Sequence, residues 1–270
     1  MTQPITQSTT ICSLNNPNVK RAAKLCKSAS FRAKTGRFIV EGAKLCADAV
    51  RFGVKVDALY YTAEAAARSG DAINVVSAAA EYSFIVTPDI LKKIANTVMP
   101  QGMVCECVIP KAGFTLNDIV SGGRYMVLEN VSDPANLGAV ARSCEALGVD
   151  ALVLIGEGGC DMYSPKAQRA AMGALMRLPV AKADADELFL ALSAVDVPAY
   201  AAALDETALP LNEVDFSAGA AVFIGNEGHG LTGETVLRCA RNIIIPIKGG
   251  SESLNAAAAA AIIAYVLCNK

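Results

Sequence analysis

Short apolar runs alternate with helix-forming segments along most of this chain, and this alternation limits the folds open to it. In the C-terminal half the runs are "YMVLENV", "ALVLIG", "AYAAAL", "AAVFIG" and "NIIIPI", and helical patterns such as "NLGAVARSCEALG" and "ADELFLALSAV" separate some of them. Strands that are apolar throughout are typical of a parallel sheet buried on both faces. With 53% hydrophobic and 19% charged residues, the chain is not a disordered one. The pattern predicts an α/β fold with a mostly parallel sheet.

The N-terminal half repeats the alternation in shorter form. Strands are predicted at "RFIVEG", "DALYYT", "SFIVT" and "GMVCECVI", with helices between them. A stretch rich in proline and glycine, residues 110–124, separates the two halves. We therefore predict a flexible polar lead-in (1–17), a small basic α/β domain (18–109), a linker (110–122) and a second α/β domain (123–270).

The two halves carry opposite net charge. Residues 1–110 hold 13 Lys/Arg and 8 Asp/Glu, a net of +5, while residues 111–270 hold 11 and 18, a net of −7. Residues 20–37 contain no acidic residue. Such a run is often only a solvated helix face, but here several basic residues fall in a loop-like segment, which favours contact with a polyanion such as RNA. The candidate contacts are Lys20, Lys24, Lys27, Arg32, Lys34 and Arg37.

Cysteine and histidine usage argues against a metal site and against an oxidising compartment. The nine cysteines have no framework spacing, and His229 is the only histidine, so a zinc site lacks ligands. His229 lies between glycines, and we expect no catalytic role for it. The longest apolar run, residues 256–268, is too short to span a bilayer, and the first residues do not resemble a signal peptide. We expect a cytoplasmic protein that uses neither a membrane nor a metal.

Three segments place glycines and polar residues where a predicted strand ends: "NVSDPANLGAVARSCEALG", "FIGNEGHGLT" and "IPIKGGSESLNAAAA". In the first, Asn136 can cap a helix, and Arg142 lies among small and apolar neighbours, where it needs an anionic partner. The third opens a helix of small residues whose free N–H groups suit an anionic or carbonyl ligand. Ligands of open α/β sheets bind at the carboxyl ends of the strands. We therefore expect one pocket to gather Asn136, Arg142, Glu227, Ser253 and Asn255.

Taken in this order, the three segments resemble the signature motifs of the SpoU-type (TrmH-like) RNA 2′-O-ribose methyltransferases of the SPOUT superfamily. "DPANLGAVARSCEALGV" is similar to the first motif, "IGNEGHGL" to the second and "IPIKGGSESLNAAAAAA" to the third, and "YSPKAQRAAMGALMRLPV" is similar to the segment between the first two. The N-terminal "NVKRAAKLCKSASFRAKTGRFIVEG" is similar, less specifically, to the ribosomal-protein-like substrate-binding domain of many members.

The resemblance implies a trefoil knot in the C-terminal domain and a homodimer with the site near its interface. It implies S-adenosylmethionine as cofactor and methyl transfer to a ribose 2′-hydroxyl. By motif position, Arg142 would have the central catalytic role, Glu227 would orient it or the ribose, and Asn136, Ser253 and Asn255 would position the nucleotide. The positions that would line the cofactor pocket are Leu204, Gly225, Ile245 and Leu254.

Two departures from the family pattern and three alternatives remain. Members often have serine at the position of Ala171, and the third motif runs directly into alanines after Asn255. Ribosomal RNA is the expected substrate and transfer RNA the runner-up. A non-catalytic RNA-binding protein on the same fold is an alternative from another class. A nucleotide-binding oxidoreductase is disfavoured, because Asp161 fills the third glycine position of the motif-like "GEGGCD".

Overall fold

The chain forms two compact units. The computed structural model describes residues 8–111, 113–205, 207–250 and 253–269. Of these, the first unit takes in the chain up to Lys111 together with Asp161–Met176, and the second takes in the remainder. Each unit has its own sheet and its own buried core.

The first unit is a mixed five-stranded sheet. Its strands are β1 (Thr9–Ile11), β2 (Arg37–Glu41), β3 (Val56–Tyr61), β4 (Tyr82–Val86) and β5 (Met103–Val108). They lie in the order β1-β4-β3-β5-β2, with β1, β4 and β3 parallel and β5 antiparallel to both of its neighbours. One core packs around Ile39 and Tyr60, and a second packs around Phe38 and Leu59, so neighbouring strand residues bury opposite faces of the sheet.

Helices cover both faces of this sheet. They are α1 (Pro17–Lys27), α2 (Ala29–Thr35), α3 (Ala43–Arg51), α4 (Ala63–Arg68), α5 (Gly70–Ala79) and α6 (Pro88–Ile94). Two of them have a proline in the first turn, a position where its missing N–H costs nothing. Asn16 caps α1 ahead of Pro17, and Thr87 caps α6 ahead of Pro88.

The second unit is a seven-stranded sheet in which every pair of neighbouring strands is parallel. The strands are β6 (Arg124–Glu129), β7 (Ala151–Ile155), β8 (Val180–Ala183), β9 (Ala199–Ala202), β10 (Leu209–Pro210), β11 (Ala220–Ile224) and β12 (Arg241–Ile244). Their order is β10-β12-β9-β11-β6-β7-β8, which places β6 and β11, from distant parts of the chain, next to each other. The predicted α/β class and the predicted parallel sheet are confirmed.

The remaining helices follow the same chain order. They are α7 (Pro134–Leu147), α8 (Pro165–Ala171), α9 (Ala185–Ala194), α10 (Gly233–Arg238) and α11 (Ala256–Asn269). Helix α7 ends where the sequence predicts, at Gly148 with φ +85°. The alanine-rich α11 packs along α7 and buries Ala260 and Ala264, because residues with so little side chain allow two helix backbones to approach closely.

Residues 161–176 belong by their contacts to the first unit, although strands β7 and β8 of the second unit flank them in the chain. Helix α8 packs on β2, and the ring centroids of Tyr163 and Phe38 lie 5.0 Å apart. The Arg32 Nε donates to Asp161 Oδ2 at 2.7 Å. The sequence division placed this segment with the second domain.

Other differences from the predicted elements have local causes. Residues 9–11, assigned to the lead-in, form β1 against β4, and residues 1–7 of that lead-in lie outside the described part. Ile11 is its one buried residue, so β1 has no alternation to detect. Helix α5 begins at a glycine, a poor helix former, and was not predicted.

No helix in the described ranges has the length and hydropathy needed to cross a membrane.

Candidate active site

A cavity of about 730 Å³ opens at the carboxyl ends of three neighbouring strands of the second unit, β9, β11 and β12. Residues 202–205, 224–231 and 242–245 leave these strands and line it, and residues 253–256 at the start of α11 close one side. The volume lies in the range of small-molecule sites, about 300–1,000 Å³. Parallel strands place their carboxyl ends at one edge, which is why three distant segments meet here.

The segment after β11 folds into a tight closed loop, residues 225–230. Asn226 and Gly230 exchange two backbone hydrogen bonds, of 3.0 and 2.9 Å. A side chain at Gly225 would not fit, because a Cβ built there lies 2.0 Å from the carbonyl carbon of Gly230. This glycine therefore permits close approach of the chain to itself.

Glu227 holds the start of α7. Its carboxylate accepts hydrogen bonds from the Asn136 amide at 2.7 Å, from Ser132 N and Oγ at 3.3 and 3.2 Å, and from Asp133 N at 3.4 Å. Burial alone would raise the pKa of Glu227. The hydrogen bonds from Asn136 and from the backbone of Glu227, Ser132 and Asp133 together outweigh that effect and leave its pKa below the ordinary value. The group is therefore a stable carboxylate and a weak base.

Asn136 and Asn255 continue this network to the third segment. Asn255 Nδ2 donates to Asn136 Oδ1 at 3.1 Å, and Asn255 Oδ1 accepts from Ala257 N at 2.9 Å, capping α11. The expectation that Asn136 caps α7 is wrong. Asp133 is the cap, accepting from Ala135 N at 2.9 Å, because it lies directly before Pro134 in the first turn.

Arg142 lies on the exposed side of α7, whose buried side includes Val140, Ala141 and Cys144. It makes no hydrogen bond or ion pair within the part of the chain that the structure describes, and it is not among the residues lining the cavity. The sequence neighbours of Arg142 suggested apolar surroundings, but the residue is exposed to solvent. The structure therefore joins Asn136, Glu227 and Asn255 and leaves Arg142 facing outward.

The other predicted positions lie on the cavity wall. Ser253 lines it, and so do the four positions expected to hold a cofactor, Leu204, Gly225, Ile245 and Leu254. Leu204 and Leu254 are 69% and 38% exposed, so apolar surface is available to a ligand there. His229 also lines the cavity, and its backbone N–H donates to Asn226 Oδ1 at 3.2 Å.

Sequence reasoning missed two polar groups at this edge. Ser132 contributes two donors to Glu227, and its position just before the Asp133 cap is the signal that could have identified it. Asp205 accepts from Thr207 N and Oγ1 and from Asn242 Nδ2 at 2.7–2.8 Å. The backbone hydrogen bond from Thr207 is the largest influence holding the pKa of Asp205 below its ordinary value.

The basic residues of the first unit divide into exposed lysines and arginines held by carboxylates. Lys20, Lys24, Lys27 and Lys34 are exposed. Arg32 was expected to contact RNA, but it is 4% exposed, paired with Asp161 and bonded to the carbonyl of Leu25. It cannot serve as a surface contact, because its guanidinium is used inside the unit.

Arg37 is half-buried. It pairs with Asp57 at 2.5 Å and lies 3.4 Å from the buried Glu106, which Arg21 also binds. Burial is the largest effect on Glu106 and raises its pKa, although Arg21 and Arg37 both oppose that rise. Part of the charge of Arg37 is therefore balanced by these carboxylates.

Comparison with known proteins agrees with this geometry. Residues 123–265 match the family model for the SpoU rRNA Methylase family, and residues 16–105 match the MRM3-like substrate binding domain. The 23S rRNA (guanosine(2553)-2′-O)-methyltransferase RlmP of Bacillus subtilis is 29% identical, over 94% of this chain and 97% of the relative.

Solved structures give the same result. An AdoMet-bound rRNA methyltransferase from Sinorhizobium meliloti is 28% identical with a TM-score of 0.85, covering 96% of this chain and 97% of its own. The SpoU methyltransferase AviRb from Streptomyces viridochromogenes, in complex with AdoMet, is 25% identical with a TM-score of 0.81, covering 94% and 98%. The resemblance drawn from the three motifs is confirmed, and the chain belongs to the SpoU rRNA methylase family.

Proposed function

We propose that this chain transfers a methyl group from S-adenosylmethionine to a ribose 2′-hydroxyl of ribosomal RNA. The observation that carries the proposal is the hydrogen-bonded chain from Asn255 through Asn136 to Glu227, which ties the three motifs together beside the cavity. Motif residues that hold one another in place at a ligand-sized cavity give a pre-organised site.

The cavity suits S-adenosylmethionine. Leu204 and Leu254 offer apolar surface, and the loop 225–230 and the start of α11 offer backbone polar groups. Asp205 and Glu227, both at the cavity, give it a negative potential that favours a cationic cofactor. When bound, the cofactor supplies an electrophilic methyl group on a positively charged sulfur. Apolar walls favour a transfer in which that charge is lost.

Removal of the proton and stabilisation of the developing charge depend on residues around the cavity and on the RNA. The 2′-oxygen must lose its proton as it forms the new bond to carbon. Glu227 is a poor acceptor for that proton because its oxygens already accept four hydrogen bonds. The guanidinium of arginine is a donor and not a base. Because Arg142 is exposed and unpaired among the described residues, we assign it to an RNA phosphate and the developing oxyanion. A phosphate or water would take the proton.

Asn136, Ser253 and Asn255 would position the nucleotide at the carboxyl edge of the sheet. A hydrogen bond already joins Asn136 and Asn255, so the remaining donors and acceptors of their amides point in defined directions. Glu227 would act through Asn136 and the start of α7, the helix that carries Arg142.

RNA would be held by the first unit through its exposed lysines. Lys20, Lys24 and Lys27 recur at the spacing of one helix face on α1, and Lys34 lies on α2. The named activity of the Bacillus relative on 23S rRNA favours ribosomal over transfer RNA. Action on ribosomal RNA also supports a cytoplasmic location.

The outer face of α11 supports a homodimer. Ala258, Ile262 and Tyr265 are exposed on it at helical spacing, next to the cavity-lining start of the same helix. Two apolar side chains over small residues suit close packing against a second copy.

The test uses labelled S-adenosylmethionine with unmodified ribosomal and transfer RNA, followed by alkaline hydrolysis. A 2′-O-methyl group blocks that cleavage, so label is expected in alkali-resistant dinucleotides from ribosomal RNA. Label released as mononucleotides would mean base methylation and would overturn the proposal. Resistant label from transfer RNA alone would make the runner-up substrate correct.

Arg142→Ala separates an enzyme from a non-catalytic RNA-binding protein. Loss of a group that stabilises developing charge should lower kcat by about 10²–10³-fold, while binding of cofactor changes little. Arg241→Ala is the matched control, since Arg241 is also exposed but begins β12 at the opposite edge of the sheet. Equal activity of both variants would remove Arg142 from the mechanism.

A further inference from the structure

Asn130 has an unusual backbone conformation directly after β6. Its φ is +53°, and among the described non-glycine residues only Met172 and Asp196 share a positive φ. Left-handed backbone is costly for most side chains and is tolerated best by asparagine and aspartate. A residue kept in this conformation must be held there by its surroundings.

Three hydrogen bonds hold Asn130, one through its backbone N–H, one through its side-chain oxygen and one through its backbone carbonyl. Its N–H donates to Ile155 O at 3.1 Å, its Oδ1 accepts from Gly158 N at 2.9 Å, and its carbonyl accepts from Asn226 Nδ2 at 2.9 Å. The residue therefore links the end of β7 and the loop after it to the loop after β11.

The loop after β7 is shaped to receive the Asn130 side chain. Gly156 has φ +86°, and a Cβ built on it would lie 2.3 Å from Asn130 Oδ1. The absence of a side chain at Gly156 thus leaves the space that the Asn130 amide fills. Cys160 N bonds to Val131 O at 2.9 Å and closes the same contact one residue further along.

The link continues into the cavity wall through Asn226. While its Nδ2 donates to Asn130, its Oδ1 accepts from Gly228 N at 2.9 Å and from His229 N at 3.2 Å. Asn226, Gly228 and His229 all line the cavity. The side-chain amide of Asn226 is therefore bonded on one side to the Asn130 carbonyl and on the other to the loop 225–230, which lines the cofactor site.

We propose that Asn130 is a positioning residue for the cofactor site. The Gly158–Oδ1 hydrogen bond fixes its left-handed backbone, the fixed carbonyl orients Asn226, and Asn226 sets the shape of residues 226–230. This inference rests on the proposed function only in taking S-adenosylmethionine as the ligand of the cavity.

Three variants isolate the side chain of Asn130 from its backbone conformation. Asn130→Gly keeps a positive φ accessible but removes the acceptor for Gly158 N. Asn130→Asp keeps an acceptor oxygen in a residue that tolerates this backbone. Asp196→Gly is the matched control: Asp196, at φ +56°, lies in the same unit, is exposed and is not part of the cavity wall.

The primary measurement is the Kd of S-adenosylmethionine by isothermal titration calorimetry on each full-length protein. Asn130→Gly should raise Kd about three- to tenfold, the effect of one hydrogen bond. Asn130→Asp should restore the wild-type Kd, and Asp196→Gly should leave it unchanged. In turnover, KM for the cofactor should rise more than kcat falls.

Hydrogen exchange of the cofactor-free proteins gives a second measurement. In Asn130→Gly the amides of Gly228, His229 and Gly230 should exchange faster, while melting temperatures of the two glycine variants shift by similar amounts. An unchanged Kd in Asn130→Gly, or an Asn130→Asp variant as weak as Asn130→Gly, would overturn the inference. A wild-type protein that binds no S-adenosylmethionine would instead overturn the proposed function and, with it, this inference.

Discussion

Carboxylates near the active site act mainly as acceptors for donors that the fold would otherwise leave unpaired. Glu227 accepts the N–H groups of Ser132 and Asp133 at the start of α7. The buried Glu129 does the same for Thr232 N at 2.8 Å and for the hydroxyls of Thr232 and Thr235. The first turn of a helix carries unsatisfied donors and a positive partial charge, so an ionised carboxylate there is stabilising.

This arrangement predicts a pH-dependent contribution of Glu227 to stability. Because hydrogen bonds hold its folded pKa below the unfolded value, the contribution is complete above the ordinary glutamate pKa of about 4.3 and is lost as pH falls through the folded value. Glu227→Gln should therefore be less stable than wild type at neutral pH, and the difference should shrink on acidification. Urea unfolding across that range measures it.

Glu213→Gln is the control for this prediction, since Glu213 is an exposed glutamate of the same unit. At neutral pH its free energy of unfolding should fall less than that of Glu227→Gln, because its carboxylate makes fewer hydrogen bonds to the fold. A Glu227→Gln deficit that persists unchanged at the acid end would mean that the charge of Glu227 is not what stabilises the start of α7.

Helices α1 and α2 carry basic residues of two different kinds. The lysines of α1 face solvent, with the Lys24 ammonium 4.5 Å from the ring centroid of Phe31, whereas Arg32 of α2 is buried against Asp161. Exposed cations attract a polyanion with little desolvation, while a buried cation is committed to its partner. The charge of this region therefore serves both surface recognition and internal packing.

Substitutions should separate these two roles. Neutralising Lys24 and Lys27 to Gln should weaken RNA binding and reduce the slope of log K against log salt by about one for each RNA phosphate that is no longer neutralised. Arg32→Met should leave that slope unchanged and lower the free energy of unfolding by about 3 kcal/mol, because it leaves Asp161 without its partner. Filter binding at several salt concentrations and urea unfolding measure the two effects. A change of slope in Arg32→Met would restore it as an RNA contact.

The same region marks the limit of sequence prediction. The parallel sheet could be predicted because the alternation of strands and helices is visible in the local sequence. The order of the three motifs indicated the family resemblance and, through it, the candidate site residues. Burial of Arg32 depends on Asp161, 129 positions away, and no local pattern contains that information. The caps of α7 and α11 show the same limit, since Asp133, Asn136 and Asn255 are all plausible caps until their partners are known.

At the scale of the whole molecule, we propose that the exposed face of α11 forms the interface of the homodimer that the family resemblance implies. Ile262 is 39% and Tyr265 59% exposed on a helix whose other side is packed against α7. The trefoil knot implied by the family resemblance also stays a prediction at this scale.

Charge on that face should prevent the proposed dimer from forming. Replacing Ile262 and Tyr265 with Glu places unpaired charges in an apolar interface, so a monomer is expected by light scattering coupled to size exclusion. Leu190→Glu, on α9 and 71% exposed, is the control and should remain dimeric. A monomeric wild type, or dimers in all three proteins, would show that α11 does not form the interface.

The membership of residues 161–176 in the first unit has a practical consequence for protein engineering. The chain passes from one unit to the other at residues 111–112, 160–161 and 176–177, so no single cut divides it cleanly. A fragment ending at Lys111 would lose Tyr163 from beside Phe38 and Asp161 from Arg32. Chimeras that exchange substrate-binding domains between relatives should therefore take residues 161–176 from the same parent as the N-terminal domain. Without this segment, the exchanged domain would have an incomplete core.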